Sequence, residues 1–291
     1  MKIVNKVLFL KAVLELKMKI GYFILNEELL SEPRMLKLLQ DLEAASYELY
    51  PIHTKSDVRP ETDLVLSMGG DGTFLSAAHV VSDIGIPILG VNFGRIGFLC
   101  ENRPEAVLEA LMEGSFSIEY RTVLNATLKG PGSRKSIGML PYSINEVAVH
   151  RSGPAMLGIH VSVNGEELPT YWADGLIVAT SSGSTAYSLS AGGPICMPDS
   201  KVIVLAPIAP HNLNVRPLVL PETAKIDISV ESRDDKVVMT TDNRTFEMDL
   251  DWTVHVEMAQ FSLKRIRLAE TGFVKALSSR LFWGEDIRNN G

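Results

Sequence analysis

Cysteine is scarce in this sequence, which has only Cys100 and Cys196 among 291 residues. Neither lies in a CxxC motif, so a disulfide scaffold is excluded, and unpaired thiols are typical of a reducing compartment. We therefore expect a cytoplasmic protein. The six histidines show no HExxH or other metal-ligand spacing, so no metal-binding residues are predicted.

Excess positive charge is also missing. The formal net charge is −7, and no stretch is rich in lysine or arginine. An extended nucleic-acid surface needs clustered basic side chains that neutralise phosphates. The sequence therefore predicts no nucleic-acid partner, although backbone N–H groups could still hold a small anionic ligand.

Long apolar runs are lacking at the N-terminus. The run at residues 7–10 is flanked by Lys6 and Lys11, and it is too short to span a membrane. No small-residue cleavage site follows it, so neither a membrane anchor nor a signal peptide is predicted. A second start-like segment begins at Met18, and we interpret residues 1–17 as an N-terminal appendage.

Strand-like and helix-like segments alternate from about residue 19 to residue 111. Short apolar segments at 20–25, 63–68 and 86–91 predict strands, and the spacing of apolar residues predicts helices over 33–49, 73–81 and 104–112. Such alternation is typical of a parallel sheet covered by helices. We expect this α/β domain to occupy residues 18–120.

The pattern changes after residue 120, where strand-length segments follow one another without helices. Asn164-Gly165 predicts a tight hairpin turn, and Asp242-Asn243 a second turn. This pattern favours an antiparallel all-β domain, a sandwich, over residues 121–269. A helix is predicted again near the C-terminus, and we expect residues 270–291 to return to the first domain.

One carboxylate, Asp71, lies among three glycines in the segment Met-Gly-Gly-Asp-Gly-Thr at residues 68–73. The segment follows a predicted strand and opens a helix, whose N-terminus favours phosphate. It matches neither GxGxxG nor the P-loop. Asp71 would lie at the carboxyl end of a parallel strand, where α/β proteins bind ligands. It could accept a proton from a hydroxyl or hold Mg²⁺, and the alternative is a simple helix cap.

Two further polar segments lie in the second half of the chain. Asn145-Glu146 adjoins an apolar strand, and the pair could receive the hydroxyls of a sugar or be a solvated strand start. A predicted strand also runs into hydroxyl-bearing and small residues at 181–194. Small residues permit close approach, and hydroxyls donate and accept hydrogen bonds, whereas Tyr187 could pack against a ring. A plain connection is the alternative.

In combination, these segments resemble the NAD kinase family. The resemblance rests on their order and spacing over residues 19–283 and comprises Gly-Gly-Asp-Gly-Thr at 69–73, Asn-Phe-Gly-Arg-Ile-Gly-Phe-Leu at 92–99, Asn145-Glu146, Asp174-Gly175, Gly-Ser-Thr-Ala-Tyr-Ser at 183–188, Gly-Gly-Pro at 192–194, Pro-His-Asn-Leu at 210–213 and Arg-Pro at 216–217. The glycine-aspartate block alone is shared with diacylglycerol-type lipid kinases and phosphofructokinases.

The resemblance implies a fold class and a reaction. It implies a Rossmann-like N-terminal domain, a C-terminal β-sandwich domain that binds NAD, and a site between them, usually in a homodimer or homotetramer. The implied reaction phosphorylates the 2′-hydroxyl of the adenosine ribose of NAD to give NADP. ATP with Mg²⁺ would be the donor, and polyphosphate is the alternative donor.

The resemblance also implies roles for individual residues. Asp71 would be the general base, and Gly72 and Phe98 would line the adenine and ribose pocket. Asn145 and Glu146 would hold ribose hydroxyls. The rest of the dinucleotide would meet Asp174, near the nicotinamide, and Thr185, Ala186, Tyr187, Ser188 and Ser190.

The sequence departs from the family pattern at two places. Ser181-Ser182 stands where many relatives have Pro-Thr, and Arg244 where glutamine is frequent.

Two other functions fit parts of the sequence. A lipid kinase of the diacylglycerol kinase type would share the glycine-aspartate block but has no reason to carry Asn145-Glu146. A non-catalytic NAD(P)-binding sensor would have no evident need for Asp71.

Overall fold

A computed structural model describes residues 18–94, 97–130, 142–268 and 272–283. The chain divides into two compact units, of which the first comprises Met1–Tyr120 and Leu263–Gly291 and the second Arg121–Ser262. The predicted appendage, residues 1–17, lies outside the described residues.

Strands outnumber helices along the described chain. The strands are β1 (Lys19–Ile24), β2 (Glu48–Ile52), β3 (Leu64–Gly69), β4 (Ile88–Asn92), β5 (Phe116–Arg121), β6 (Leu124–Lys129), β7 (Tyr142–Ser143), β8 (Glu146–Arg151), β9 (Leu157–Val163), β10 (Glu166–Glu167), β11 (Tyr171–Ala173), β12 (Gly175–Thr180), β13 (Val202–Ile208), β14 (Leu218–Pro221), β15 (Ile226–Glu231), β16 (Lys236–Thr241), β17 (Arg244–Asp249), β18 (Thr253–Met258) and β19 (Leu263–Leu268). The helices are α1 (Pro33–Ala44), α2 (Asp71–Val81), α3 (Val107–Glu113), α4 (Tyr187–Ser190) and α5 (Phe273–Leu281). Short 3₁₀ turns occupy Glu27–Ser31, Lys55–Asp57, Ser82–Ile84, Pro104–Ala106 and Gly183–Thr185.

The first unit is built on a six-stranded sheet in the order β2-β1-β3-β4-β19-β5. Strands β2, β1, β3, β4 and β19 pair in parallel. Helix α1 buries Met35, Leu38 and Leu42, which recur at helical spacing and belong to the same apolar core as strands β1, β3 and β4. This architecture confirms the predicted α/β half of the fold class.

Helix α1 is shorter than the sequence predicted. The expected helix over 33–49 ends at Ala44, because Ser46 adopts a left-handed backbone with φ of 68°. The Tyr47 N–H bonds the Leu42 carbonyl at 3.1 Å, and the Ser46 N–H bonds Glu43 at 2.9 Å, which together form a Schellman motif. The chain can then enter the edge strand β2, which the sequence interpretation had merged into the helix.

The final strand also differs from the sequence interpretation. Strand β19 was included in the β-sandwich of residues 121–269, but it pairs in parallel with β4 in the first sheet. The physical reason is its apolar face, since Ile266 and Leu268 are buried in the core of the first unit.

The second unit contains two antiparallel sheets. One has the order β10-β9-β15-β18-β6-β7 with β11 beside β9, and the other has the order β14-β13-β12-β8-β16-β17. Alternate residues of both sheets meet in one core, for example Ile159 and Val161 of β9 with Leu176 and Val178 of β12. The predicted all-β sandwich is thereby confirmed.

The outer face of the second sheet is covered by the segment that follows β12. Ile177 and Ala179, which alternate with the core residues of β12, pack with Ala191 and Cys196. Strand β12 is therefore buried on both faces, as its unbroken apolar sequence requires.

Helix α5 belongs to the first unit. Its first residue, Phe273, has its ring centroid 6.1 Å from that of Phe98. Among the described residues, no helix combines the length and the apolar character needed to cross a bilayer.

The sandwich core predicts a clear contrast between two leucines. Leu176 is fully buried and Leu213 is 88% exposed. We expect Leu176→Ala to lower the free energy of unfolding of the second unit by about 2–5 kcal/mol, because it leaves a cavity. The matched Leu213→Ala should change it by less than about 0.5 kcal/mol. Urea unfolding followed by circular dichroism measures both, and equal effects would contradict the packing described here.

Candidate functional site

Asp71 lies where the central parallel strand β3 passes into helix α2. Gly70 is the N-cap residue in an extended conformation, and Asp71 is the first helical residue. Gly69 has φ of 156°, and a Cβ atom there would collide with the Thr73 side chain. Glycine is therefore required at residue 69 for the strand to turn into the helix.

The Asp71 carboxylate binds a loop of the first sheet rather than its own helix. Backbone N–H groups of Phe98, Leu99 and Cys100 donate to it at 2.8, 3.0 and 2.7 Å. A Cβ atom at Gly97 would overlap this carboxylate, so the loop approaches closely only because residue 97 is glycine. Two of the bonds end on Oδ1 and one on Oδ2. Since a carboxylate has about four acceptor positions, Oδ2 retains one.

The neighbouring residues differ in exposure. Gly72 is exposed, with open space around the position of a Cβ atom. The Phe98 ring is partly buried, and the Arg280 guanidinium of α5 lies 5.2 Å from its centroid. Arg95 and Ile96, within the motif at 92–99, lie outside the described residues.

In the second unit, antiparallel pairing brings two polar segments together. Glu146 at the start of β8 pairs with Ala179 near the end of β12, and the Thr180 N–H bonds the Asn145 carbonyl at 2.9 Å. Asn145 and Glu146 are 9% and 7% exposed, unlike a solvated strand start. A Cβ atom at Gly183 would collide with the Asn145 carbonyl, so the polar segment needs glycine there.

Besides Glu146, this cluster of the second unit contains one more carboxylate, that of Asp242. It accepts hydrogen bonds from the N–H groups of Ile144, Asn145 and Glu146 at 2.9, 2.8 and 3.2 Å. Burial raises the pKa of Asp242 to about 6, although the three N–H donors oppose that rise. The sequence interpretation saw only a turn at 242–243. An aspartate in a tight turn is too common to reveal a partner almost a hundred residues away.

In this cluster, the carboxyl group of Glu146 has the pKa that is shifted furthest from its ordinary value. Burial, followed by the negative charge of Asp242, raises its pKa to about 8, while a hydrogen bond from the Tyr187 backbone lowers it. Its Oε2 atom has no hydrogen-bond partner among the described residues. At neutral pH the carboxyl group is largely protonated, so it can donate a hydrogen bond as well as accept one.

Tyr187 opens helix α4 and lies over the second sheet. Its ring stacks on that of His150, with centroids 5.6 Å apart and an angle of 19° between the planes. Burial and then the charges of Glu146 and Asp174 raise the pKa of the Tyr187 hydroxyl. Asp174 itself pairs with Arg151 at 3.1 Å. The Tyr187 hydroxyl is therefore influenced by Asp174, just before the start of β12, and by Glu146, which pairs with β12 near its end.

The remaining residues of this segment point in different directions. The Ser188 hydroxyl is buried without a partner among the described residues, and a Cβ atom at Gly193 would collide with it. Thr185 donates to the Ser182 carbonyl at 3.2 Å, whereas Ser190 is exposed and Ala186 is partly buried. The segment thus presents some of its hydroxyls to solvent and turns others inward.

The fold and these residues define a class, the phosphotransferases that combine an α/β unit with a β-sandwich and bind nucleotides. Residues 11–115 match the ATP-NAD kinase N-terminal domain, and residues 144–268 match the ATP-NAD kinase C-terminal domain. An NAD kinase of Flavobacterium psychrophilum is 39% identical over 84% of this chain and 84% of its own length. The chain belongs to the NAD kinase family.

Two solved structures are similar to this one. A yeast NADH kinase complexed with NADH has a TM-score of 0.82 at 23% identity, over 94% of this chain and 89% of its own. An NAD kinase from Archaeoglobus fulgidus in complex with ATP has a TM-score of 0.70 at 26% identity, over 87% and 94%. The resemblance inferred from the sequence motifs is thereby confirmed.

The raised pKa of Glu146 predicts a pH-dependent stability. Its pKa rises from 4.5 to about 8 on folding, so the folded state holds a proton that the unfolded state releases between these values. Stability from this group is therefore lost as the pH rises from about 4.5 to 8. We expect Glu146→Gln to gain stability relative to the unsubstituted protein across that window, because glutamine stays neutral.

Urea unfolding at pH 5, 6.5 and 8 measures this difference. Glu167→Gln, on the exposed strand β10, is the matched control and should follow the unsubstituted protein at all three values. A Glu146→Gln difference that does not change with pH would rule out a buried, protonated Glu146.

Proposed function

We propose that this chain is an NAD kinase, which transfers the γ-phosphoryl group of ATP to the 2′-hydroxyl of the adenosine ribose of NAD. The products are NADP and ADP. The observation that carries the proposal is the match of both kinase domains in one chain, together with a glycine-framed carboxylate at the end of a central parallel strand. Relatives named NAD kinase across most of the chain support it.

Asp71 is the general base in this proposal. Its carboxylate accepts the proton of the 2′-hydroxyl, and the ribose oxygen then forms a bond to the γ-phosphorus. The bond from that phosphorus to the β–γ bridging oxygen breaks, and ADP leaves. The acceptor position left on Oδ2 supports this role. Phosphoryl transfer depends mainly on positioning and charge stabilisation, and the three N–H bonds hold the carboxylate in one orientation.

A Mg²⁺ ion that arrives with ATP fits the described residues better than a resident ion. No group of three or more His, Cys, Asp or Glu side chains able to hold a metal occurs in the described part of the chain. Mg²⁺ usually keeps several of its waters and is bound largely through the phosphates of the substrate, so Asp71 stays available as the base. When bound, the ion neutralises charge on the transferring phosphoryl group.

The proposal assigns a part of the substrate to each of the remaining site residues. Gly72 and Phe98 line the adenine and ribose pocket, and Asn145 and Glu146 bind ribose hydroxyls. The buried Oε2 of Glu146, which has no partner among the described residues, supports this, because a sugar hydroxyl would satisfy it. The residues assigned to the rest of NAD are Asp174, Thr185, Ala186, Tyr187, Ser188 and Ser190. We also propose a cytoplasmic homodimer or homotetramer.

The role of Asp71 predicts a loss of turnover without a loss of binding. We expect Asp71→Asn to reduce kcat by about 10²- to 10⁴-fold, the usual contribution of a general base. The Kd for NAD should stay close to that of the unsubstituted protein. NADP formation from NAD with ATP and Mg²⁺ measures kcat, and calorimetry measures Kd.

The matched control is Asp83→Asn in the same unit, where the aspartate pairs with Lys55 at the surface at 2.7 Å. It should leave kcat unchanged. Near-normal turnover of Asp71→Asn would contradict the proposed role of Asp71 as the general base. NAD binding without NADP formation by the unsubstituted protein, with ATP or polyphosphate, would favour a sensor, and phosphorylation of diacylglycerol would favour a lipid kinase.

A further inference from the structure

A buried arginine lies beneath the loop that holds Asp71. Arg265 on strand β19 is 1% exposed, and each of its three guanidinium nitrogens has a different partner. Nε donates to the Leu99 carbonyl at 3.1 Å, one terminal nitrogen donates to Glu119 on β5 at 2.8 Å, and the other to Glu101. The guanidinium therefore bonds the loop at Leu99 and Glu101 and ties it to Glu119 on the neighbouring strand β5.

The contact at Leu99 leads directly to the Asp71 carboxylate. The Leu99 carbonyl and the Cys100 N–H belong to one planar peptide group, so a hydrogen bond that orients the first orients the second. That N–H donates to Asp71 Oδ1 at 2.7 Å. One rigid plane thus links the Arg265 side chain on one side to the Asp71 carboxylate on the other.

The same loop is held at two further places. Arg280 on α5 donates to Glu101 at 3.1 Å, and its guanidinium lies 5.2 Å from the centroid of the Phe98 ring. Asn92 donates to the Cys100 carbonyl at 3.2 Å. The segment 98–101 is therefore held from several sides around Asp71, and Arg265 contributes the cation that is 1% exposed.

Stability alone is a weak reason for such a cluster. Burying an ion pair costs several kcal/mol of desolvation per ion, and an apolar replacement is often neutral or stabilising. Three bonds in these fixed directions suit a guanidinium, because its donors lie on three nitrogens of a rigid plane, whereas the three N–H groups of a lysine ammonium all leave one nitrogen. The arrangement is better suited to orienting the groups that Arg265 bonds than to increasing the free energy of unfolding.

We propose that Arg265 is a positioning residue for phosphoryl transfer, acting on Asp71 through the Leu99–Cys100 peptide group. The inference rests on the proposed role of Asp71 as base. Arg265 orients the N–H groups that fix the position of the Asp71 carboxylate. It touches neither NAD nor ATP in this proposal.

The test compares two lysine substitutions on one strand. Arg265→Lys keeps a positive charge between Glu101 and Glu119 but cannot make the three bonds. Arg267→Lys is the matched control, because Arg267 lies two residues along β19 and pairs with Glu119 at 3.3 Å. Both proteins are assayed for NADP formation over a range of NAD concentrations, which separates kcat from KM, and thermal unfolding and circular dichroism check that both are folded.

We expect Arg265→Lys to lower kcat by about 10- to 100-fold, because a small misplacement of a reacting group has that effect. The KM for NAD should stay unchanged. Arg267→Lys should keep the kcat of the unsubstituted protein.

Amide hydrogen exchange gives a readout that does not depend on activity. The Leu99 and Cys100 amides should exchange faster in Arg265→Lys than in Arg267→Lys, because they lose their fixed orientation. Equal kcat in the two variants, or a lower kcat of Arg265→Lys with unchanged exchange, would overturn the proposal. If Arg265→Lys does not fold, Glu119→Gln, which removes one carboxylate that orients the guanidinium, is measured in the same way with the same criteria.

The measurements distinguish a failure of the proposed function from a failure of the positioning role of Arg265. If the unsubstituted protein makes no NADP, the proposed function fails, and the exchange comparison still decides whether Arg265 holds the loop. If it makes NADP and the two lysine variants behave alike, the function stands and the positioning role does not.

Discussion

One interaction recurs in both units, a carboxylate that accepts hydrogen bonds from three consecutive backbone N–H groups. Asp71 holds residues 98, 99 and 100, and Asp242 holds residues 144, 145 and 146. Three donors on one acid satisfy backbone groups that have no strand partner at that point. Each carboxylate therefore fixes the conformation of a loop that carries candidate site residues.

The two carboxylates have different neighbours, and their chemistry differs accordingly. Desolvation raises the pKa of Asp242 despite the N–H donors. Its charge in turn helps to raise the pKa of Glu146. Asp71 keeps an acceptor position on Oδ2. The same backbone arrangement thus lies beside a Glu146 carboxyl group of raised pKa in one unit and leaves an acceptor position on the carboxylate itself in the other.

Much of the fold could be predicted because it follows from local patterns. The alternation of apolar segments with helical spacing predicted the α/β unit, and successive strands predicted the sandwich. The glycines around Asp71 marked the end of a strand, since few other residues permit that turn. The end of helix α1 could not be predicted from the same pattern. Ser46 ends that helix through a left-handed backbone conformation, which the spacing of apolar residues does not indicate.

The contacts that complete the candidate site could not be predicted in this way. Asp242 bonds Ile144 across 98 positions, and Arg265 bonds Leu99 across 166. In the sequence Lys-Arg-Ile-Arg at residues 264–267, Arg265 looks like an ordinary exposed strand residue. Only the three-dimensional arrangement shows that it is buried against two glutamates.

The return of the chain to its first unit buries Ile266 and Leu268, and this long-range pairing is its second consequence. A parallel strand next to β4 could have been covered by apolar residues alone, yet β19 places a guanidinium under the loop at 98–101, and α5 adds Arg280 and Phe273 to the same loop. Phosphoryl transfer depends on the placement of charges rather than on covalent chemistry. A loop held by the last strand and the last described helix keeps its peptide groups in place around Asp71. The C-terminal segment, remote in sequence from the glycine-aspartate block, therefore contacts the same loop that Asp71 holds.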